Sequence, residues 1–518
     1  MTSSSRRQGC AGRGERADFR ACREPGWADV TAVQMGTASG RWVLLATVLG
    51  SGLVMVDGTV VNVALPHIGS DLGAGFGSLQ WIVNAYTLTL ASLILLGGAL
   101  GDRFGRRRIF LIGVVWFALA SLACGLAPNA EVLIAARALQ GVGGALLTPG
   151  SLALISASFR ADDRAAAIGA WSGLGGIAGA VGPFLGGILV EWSWRAVFLI
   201  NLPLAVIVVA VTAARVPESR NWEASRGLDL AGAVLMVAGL GALTHGLTEL
   251  GTGRADFGSV SSIAVGVLAL TAFVVVERRS DHPLVSPKLF SDRNFRVANA
   301  MTLLIYGALG AVFLLLVLQL QIVAGFSPVA AGTALLPFTA VMLVFSSRAG
   351  ALSSRIGPRL PMTVGPLIAA GGLLLMMRIG PDASWPFDVA PAAVVFGAGM
   401  VLVVAPLTAT VLDSAPESMA GSASGVNNAL ARAGGLLAVA VLPGVAGISG
   451  GDYAAPEAFA TGFRVALLIS AALMVIAAVM AGVGIRRAPI GRTGRIPVEN
   501  CTHCGLAGLP PHPATESC

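Results

Sequence analysis

The sequence predicts an all-α integral membrane protein of fourteen transmembrane helices, arranged as two six-helix bundles with two helices between them. Three observations lead there. First, 55% of the 518 residues are hydrophobic and only 12% are charged, whereas a soluble domain carries about 25% charged residues; mean hydropathy is +0.79. Second, fourteen apolar runs reach the roughly 20 residues a helix needs to cross the hydrocarbon core. Third, the ten residues GALGDRFGRR (Gly98–Arg107) return as GALSSRIGPR (Gly350–Arg359) with six identities. A degraded internal repeat in so apolar a chain marks a transporter built from two similar halves.

In order, the runs cover residues 42–65, 79–101, 109–127, 132–155, 166–190 and 196–214, then 228–250 and 257–277, then 297–323, 329–347, 361–380, 389–413, 423–447 and 462–485. The alternating short segments of a transmembrane β-barrel do not occur. Residues 42–214 therefore make one bundle and 297–485 the other. The polar stretches Arg215–Arg226 and Glu277–Arg296 flank the middle pair of helices within a linker, 215–296. Residues 1–41 are Arg-rich and lack the apolar core of a secretory signal. They read as a disordered cytoplasmic tail, in which 1–34 is an extension or Met35 is the start. Residues 486–518 form a second cytoplasmic tail.

The net charge of +7 follows from topology and does not call for nucleic acid. With the N-terminus inside, four basic residues fall in outer loops (Arg195, Arg254, Arg378 and Arg464) and two within helices (Arg137 and Arg432); the rest of the 34 lie inside. That bias follows the positive-inside rule and places both termini in the cytoplasm of a multi-pass cell-membrane protein. Of six cysteines, Cys124 lies in the third run and the others lie in the reducing tails. Cys501, His503, Cys504, His512 and Cys518 have the elements of a zinc site, but the other reading is a Pro/Gly-rich disordered tail. No metal or cofactor is expected.

Several motifs occur in a fixed order. The first helix carries Asp57-Gly-Thr59-Val-Val-Asn62-Val-Ala64-Leu65-Pro66, and the second starts with Trp81 and Tyr86 before reaching Gly98–Arg107. Arg137-Ala-Leu-Gln140-Gly141 lies in the fourth and Gly182-Pro183-Phe-Leu-Gly186-Gly187 in the fifth, followed by Trp194-Arg195, Phe198, Asn201 and Pro203. On these residues the chain resembles the fourteen-helix drug:proton antiporter branch of the major facilitator superfamily, over about residues 42–485. The resemblance implies the major facilitator fold, proton-coupled efflux of lipophilic organic compounds, and an antiporter motif at Gly179, Gly182, Pro183, Gly186 and Gly187. It also ties the helix 4 arginine to proton transfer.

The residues support parts of this independently. A carboxylate near the bilayer centre costs about 2.5–3.5 kcal/mol on insertion scales, so Asp57 must face a cavity or a partner. Asp57 lies about eight residues, or roughly 12 Å, below the outer end of its helix, and Arg137 about six residues, or roughly 9 Å, below the same surface. The two are expected to interact and to couple protons; the other reading makes both purely structural. Gly98, Asp102, Arg103, Gly105 and Arg106 occupy the turn between helices 2 and 3, where charges can latch neighbouring helix ends. Ser354 replaces Asp102 in the second copy, so this conformational latch should be stronger in the first half. Small residues on helix 5 permit close packing, and Pro183 permits a kink. Asn84, Tyr86, Gln140, Tyr306, Gln319, Asn428 and Arg432 are expected to line a midplane cavity, where Arg432 either attracts anionic groups or braces the second bundle.

Other classes fail on residues. The only lysine, Lys288, follows Pro287, so no phosphate-binding Gly-x-x-x-x-Gly-Lys loop exists, and energy must come from an ion gradient. The five histidines are too scattered for an intramembrane metal centre, and no nucleophile-and-base set is visible, so the chain is not read as an enzyme. Expected partners are protons, the lipid bilayer and a small lipophilic substrate of open charge, handled by a monomer. The runner-up functions are export of one endogenous metabolite or lipid, and a non-transporting membrane sensor.

Overall fold

The computed structural model describes residues 33–220, 228–253, 256–280, 282–416, 419–448 and 455–486. The cysteine- and histidine-bearing C-terminal tail and most of the N-terminal extension lie outside the described residues. We number the spans α1 (Ala38–Leu72), α2 (Phe76–Phe104), α3 (Arg106–Gly125), α4 (Ala130–Ser158), α5 (Ala161–Trp192) and α6 (Ala196–Arg215). The middle pair is α7 (Leu230–Gly251) and α8 (Phe257–Arg279). The second half holds α9 (Arg293–Val323), α10 (Pro328–Ile356), α11 (Arg359–Met376), α12 (Trp385–Asp413), α13 (Ala420–Val445) and α14 (Pro456–Gly484). Thirteen of these are long and apolar enough to cross a membrane among the described residues, and the 32-residue α5 occupies the fifth place. We call helix ends outer or inner after the loop-charge assignment.

The helices outrun the apolar runs. The first run covers 42–65, yet α1 starts after Thr37, whose hydroxyl caps Gly40 N at 3.2 Å, and ends at Gly73 with φ of 60°. Backbone hydrogen bonding continues through polar residues beyond the hydrocarbon, where hydropathy gives no signal. Several spans are also broken locally. In α6 the chain turns at Ile200 before Asn201, and α9 ends in a π-helical turn, Gln319–Val323.

Within the first half α4 packs on α2 and α3, while α1 packs on α5, α4 and α6. Within the second, α11 packs on α12 and α14, and α9 on α13 and α14. The pair α7–α8 packs on itself, with α7 touching α2 and α13. The halves meet reciprocally: α2 lies on α13 and α5 on α10, so the second helix of each half meets the fifth of the other. Apolar burial separates inner from lipid-facing helices, at 67% of the α9 window and 17% of the α8 window.

The contacts between halves cluster toward the outer ends. Gln80 Nε2 donates to Val439 O at 2.7 Å, and Gln321 Nε2 to Val63 O at 3.0 Å. A Cβ on Gly187 would meet Val329 Cα at 2.6 Å, and one on Gly332 would collide with Pro183 O. Gly251 and Gly444 meet backbone to backbone. Glycine is needed at these places because any side chain would force the helices apart. The α2–α13 seam also reaches inward, to Leu95 against Gly425.

Candidate functional site

Asp57 is 0% exposed, and three donors satisfy its carboxylate. Arg137 Nη1 bonds to Oδ2 at 2.5 Å, Gln140 Nε2 to Oδ1 at 2.8 Å, and Asn201 Nδ2 to Oδ1 at 3.1 Å. The donors come from α4 and α6. Arg137 and Gln140 lie one helical turn apart on α4, so one face supplies both. Asn201, near the start of α6, turns its side-chain amide toward Asp57 on α1. Ser121 on α3 joins the set, accepting from Gln140 at 3.1 Å and from Asn201 at 3.0 Å while donating to Phe198 O at 2.9 Å.

Arg137 is 1% exposed. Besides Asp57, it donates to Gln140 Oε1 at 2.7 Å and, from Nε, to Ile82 O at 3.1 Å. Its guanidinium lies 4.2 Å from the Tyr86 ring centroid and 5.8 Å from that of Phe198, where the ring quadrupole favours a cation. The two buried charges therefore compensate one another inside a hydrogen-bonded cage that satisfies both carboxylate oxygens and leaves Asn201 Oδ1 as its buried orphan. Such a cage matters because a desolvated ion pair repays its desolvation only when its remaining donors and acceptors are also satisfied. Gln140, expected as a substrate contact, belongs to this cage. Ser121, Cys124 (donating to Gln140 Oε1 at 3.6 Å) and Asn201 are members that hydropathy alone did not single out. The available signal was a polar residue within an apolar run.

The remaining cavity candidates separate. Asn84 is 1% exposed with neither amide atom bonded. Gln319 is fully buried and donates to Ile379 O at 2.9 Å, which places it in the core of the second half and not on a cavity wall. Asn428 is exposed and donates to Ser424 O at 3.1 Å. Tyr306 and Arg432 are partly exposed. His245 lies beside Trp81, ring centroids 6.0 Å apart.

The repeated turn is built differently in its two copies. In the first, Gly105 takes φ of 108°, a conformation that disfavours side chains. Arg106 pairs with Asp102 at 2.8 Å, and Arg103 lies over Phe104. Glu218, beyond α6, accepts from Arg107 N at 3.0 Å and Arg108 N at 3.2 Å, while Arg106 N donates to Ser219 O at 2.9 Å. An anion thus sits on the free N–H groups at the start of α3. This clamp joins two elements of the first half across 111 residues, and no motif announces it. In the second copy Gly357 has φ of 85° and Ser354 donates to Ala351 O. No carboxylate among the described residues contacts that turn.

On α5, Gly179 O accepts from Thr59 Oγ1 at 3.4 Å. A Cβ on Gly182 would meet Thr59, and one on Gly186 would lie 2.7 Å from Val60 Cγ2. These two glycines bring α5 onto α1 one turn from Asp57, while Gly187 and Pro183 face α10.

Comparison with known proteins agrees with this architecture. The family described as the Major Facilitator Superfamily matches residues 47–439. The multidrug resistance protein Stp of Mycobacterium tuberculosis (strain ATCC 25618 / H37Rv) is 37% identical over 78% of this chain and 75% of its own length. The puromycin resistance protein of Streptomyces alboniger is 36% identical over 88% and 94%, and the cephamycin export protein of Amycolatopsis lactamdurans 38% over 86% and 92%. Among solved structures, a bacterial homolog of the lysosomal transporter Spinster, inward-facing and unoccupied, superposes with a TM-score of 0.61 at 19% identity, covering 86% of this chain and 97% of that one. With a match of that length, relatives of that identity and this helical architecture, the chain belongs to the major facilitator superfamily, in its drug:proton antiporter branch.

Proposed function

We propose that the chain is a proton-coupled exporter of lipophilic organic compounds, antibiotics among them, and not an enzyme. It works as a monomer in the cytoplasmic membrane with both termini inside. The loop charges support that orientation, and the resistance and export roles of its relatives support the direction of transport. One observation carries the coupling: Asp57 is the only carboxylate in the deep interior of the described spans, and four helices of the first half converge on it.

The mechanism follows from the cage. Ionised Asp57 ties α1 to α4 through Arg137 and Gln140, and to α6 through Asn201. A proton arriving from the outer side neutralises the carboxyl and removes the charge that compensates Arg137. Arg137 then keeps only Gln140, Ile82 O and the ring faces. Loss of the ionic tie loosens α1 against α4 and lets the two bundles, 42–214 and 297–485, rock about the reciprocal α2–α13 and α5–α10 seams. Release of the proton inside restores the tie, and substrate leaves outward in the same cycle. The latch formed by Asp102, Arg106 and Glu218 holds the inner end of the first bundle as one body during that rotation.

The test is drug susceptibility of a sensitive host expressing the chain, with puromycin, lincomycin and a cephamycin as probes, with and without an uncoupler. Protection against at least one compound, lost under the uncoupler and lost in Asp57→Asn at unchanged membrane abundance, is the expected result. Protection that persists in Asp57→Asn, or under the uncoupler, would falsify proton coupling through this residue.

A further inference from the structure

We propose that Arg432 anchors the substrate and that the cavity selects organic anions; this rests on the export reading above and names the substrate class. Arg432 lies midway along the 26-residue α13, at the depth of the bilayer centre. It makes no hydrogen bond, ion pair or ring contact among the described residues, and its Nε is buried without a partner. The other deep charges, Asp57 and Arg137, are closed upon each other in the first half. The interior therefore carries one uncompensated positive charge, and an unpaired charge at that depth persists only where it has use for a partner.

The surroundings shape the preference. Two helices flank the Arg432 stretch of α13: α9, packed at Gly434 and Gly435, and α2, packed from Val439 to Gly425. One comes from each half, so the guanidinium sits where the halves face each other. Gly434 and Gly435 bring α13 against the backbone of α9 at Leu303, Tyr306 and Gly310. Asn428 lies one turn inward on the same face of α13 and is exposed. The antiparallel α2–α13 seam runs from Gln80–Val439 to Leu95–Gly425. Asn84, one turn inward of Gln80 on the same face of α2, adds an uncommitted amide to the α2 side of that seam. A planar fork of N–H donors with no acceptor from the protein fits a carboxylate or sulfonate on an organic body. A cationic compound meets like charge there, and Asp57 is not free to receive it.

The experiment uses everted membrane vesicles carrying the full chain, an imposed pH gradient and two fluorescent probes of opposite permanent charge. These are anthracene-2-sulfonate and (anthracen-9-ylmethyl)trimethylammonium, with uptake into vesicles lacking the chain subtracted. Wild type should take up the sulfonate at least about tenfold faster than the ammonium, R432Q should lose about tenfold on the sulfonate alone, and R432K should retain most of it. R432Q should melt in detergent no lower than wild type, since no bond is lost. Four results overturn the proposal: equal or reversed preference, preference kept in R432Q, no uptake of either probe, or a lower melting point in R432Q that R432K restores. Asp57→Asn separates the two ideas. Sulfonate preference that survives in this variant with its response to the pH gradient intact refutes coupling through Asp57 and leaves anion selection standing.

Discussion

The two halves share a scaffold and treat charge in opposite ways. In the first, Asp57 and Arg137 are buried together and every strong donor around the carboxylate is committed. In the second, Arg432 stands alone. The repeated turn differs in the same sense, clamped by Asp102 and Glu218 in the first copy and left without a described acid in the second. Duplication supplies the fold, and the division of labour lies in which copy kept its counter-charges. On our reading one half carries the proton and the other the cargo.

The largest effect expected of this contrast is on stability. Arg137→Ala leaves a buried carboxylate uncompensated and should cost about 3–5 kcal/mol, read as a large fall in detergent melting temperature. Pairing Asp57→Asn with Arg137→Gln should recover much of that loss, because neither charge is then buried alone. A double variant as unstable as the sum of the singles would mean the two groups act independently.

Next come the turn glycines. Gly105→Ala should cost about 1–3 kcal/mol, since it combines a backbone conformation strained for side chains with a Cβ 2.9 Å from Glu218 Cδ. Gly357→Ala has the strain without the acid and should fall at the low end of that range. Equal losses would show that the clamp adds nothing. Glu218→Gln should cost about 0.3–1 kcal/mol at low ionic strength, and the difference from wild type should shrink with added salt. A loss independent of salt would assign Glu218 a packing role. Smallest of all, Arg432→Gln should shift stability by no more than about 0.5 kcal/mol, upward if at all, in contrast to Arg137.

Much of this was legible in the sequence. Fourteen apolar runs located the fourteen spans, because crossing hydrocarbon imposes a length and composition that few other folds share. Counting residues from helix ends placed Asp57 and Arg137 at one depth, where their side chains do meet. The substitution of Ser354 for Asp102 marked which copy of the turn would be weaker. Other features could not be read there. Asn201 reaches Asp57 through the packing of α6 on α1, and Glu218 reaches Arg107 only because the chain leaving α6 folds back under α3. Gln319 looked like a cavity residue since it is polar in an apolar run, yet a π-helical turn directs it to Ile379 O. Each of these depends on tertiary packing or on a local departure from regular helix, to which periodicity and hydropathy are blind.

The outer seam has a kinetic consequence. Where Gly187 meets Val329 and Gly332 meets Pro183, main chain lies directly on main chain between the halves. Parting these glycine contacts requires no side chain at the glycines to change rotamer. Such a joint slides with little friction, so the speed of the cycle should be limited by proton arrival and cargo release, not by prising the protein open. A bulkier residue at any of these glycines would turn a smooth bearing into a ratchet.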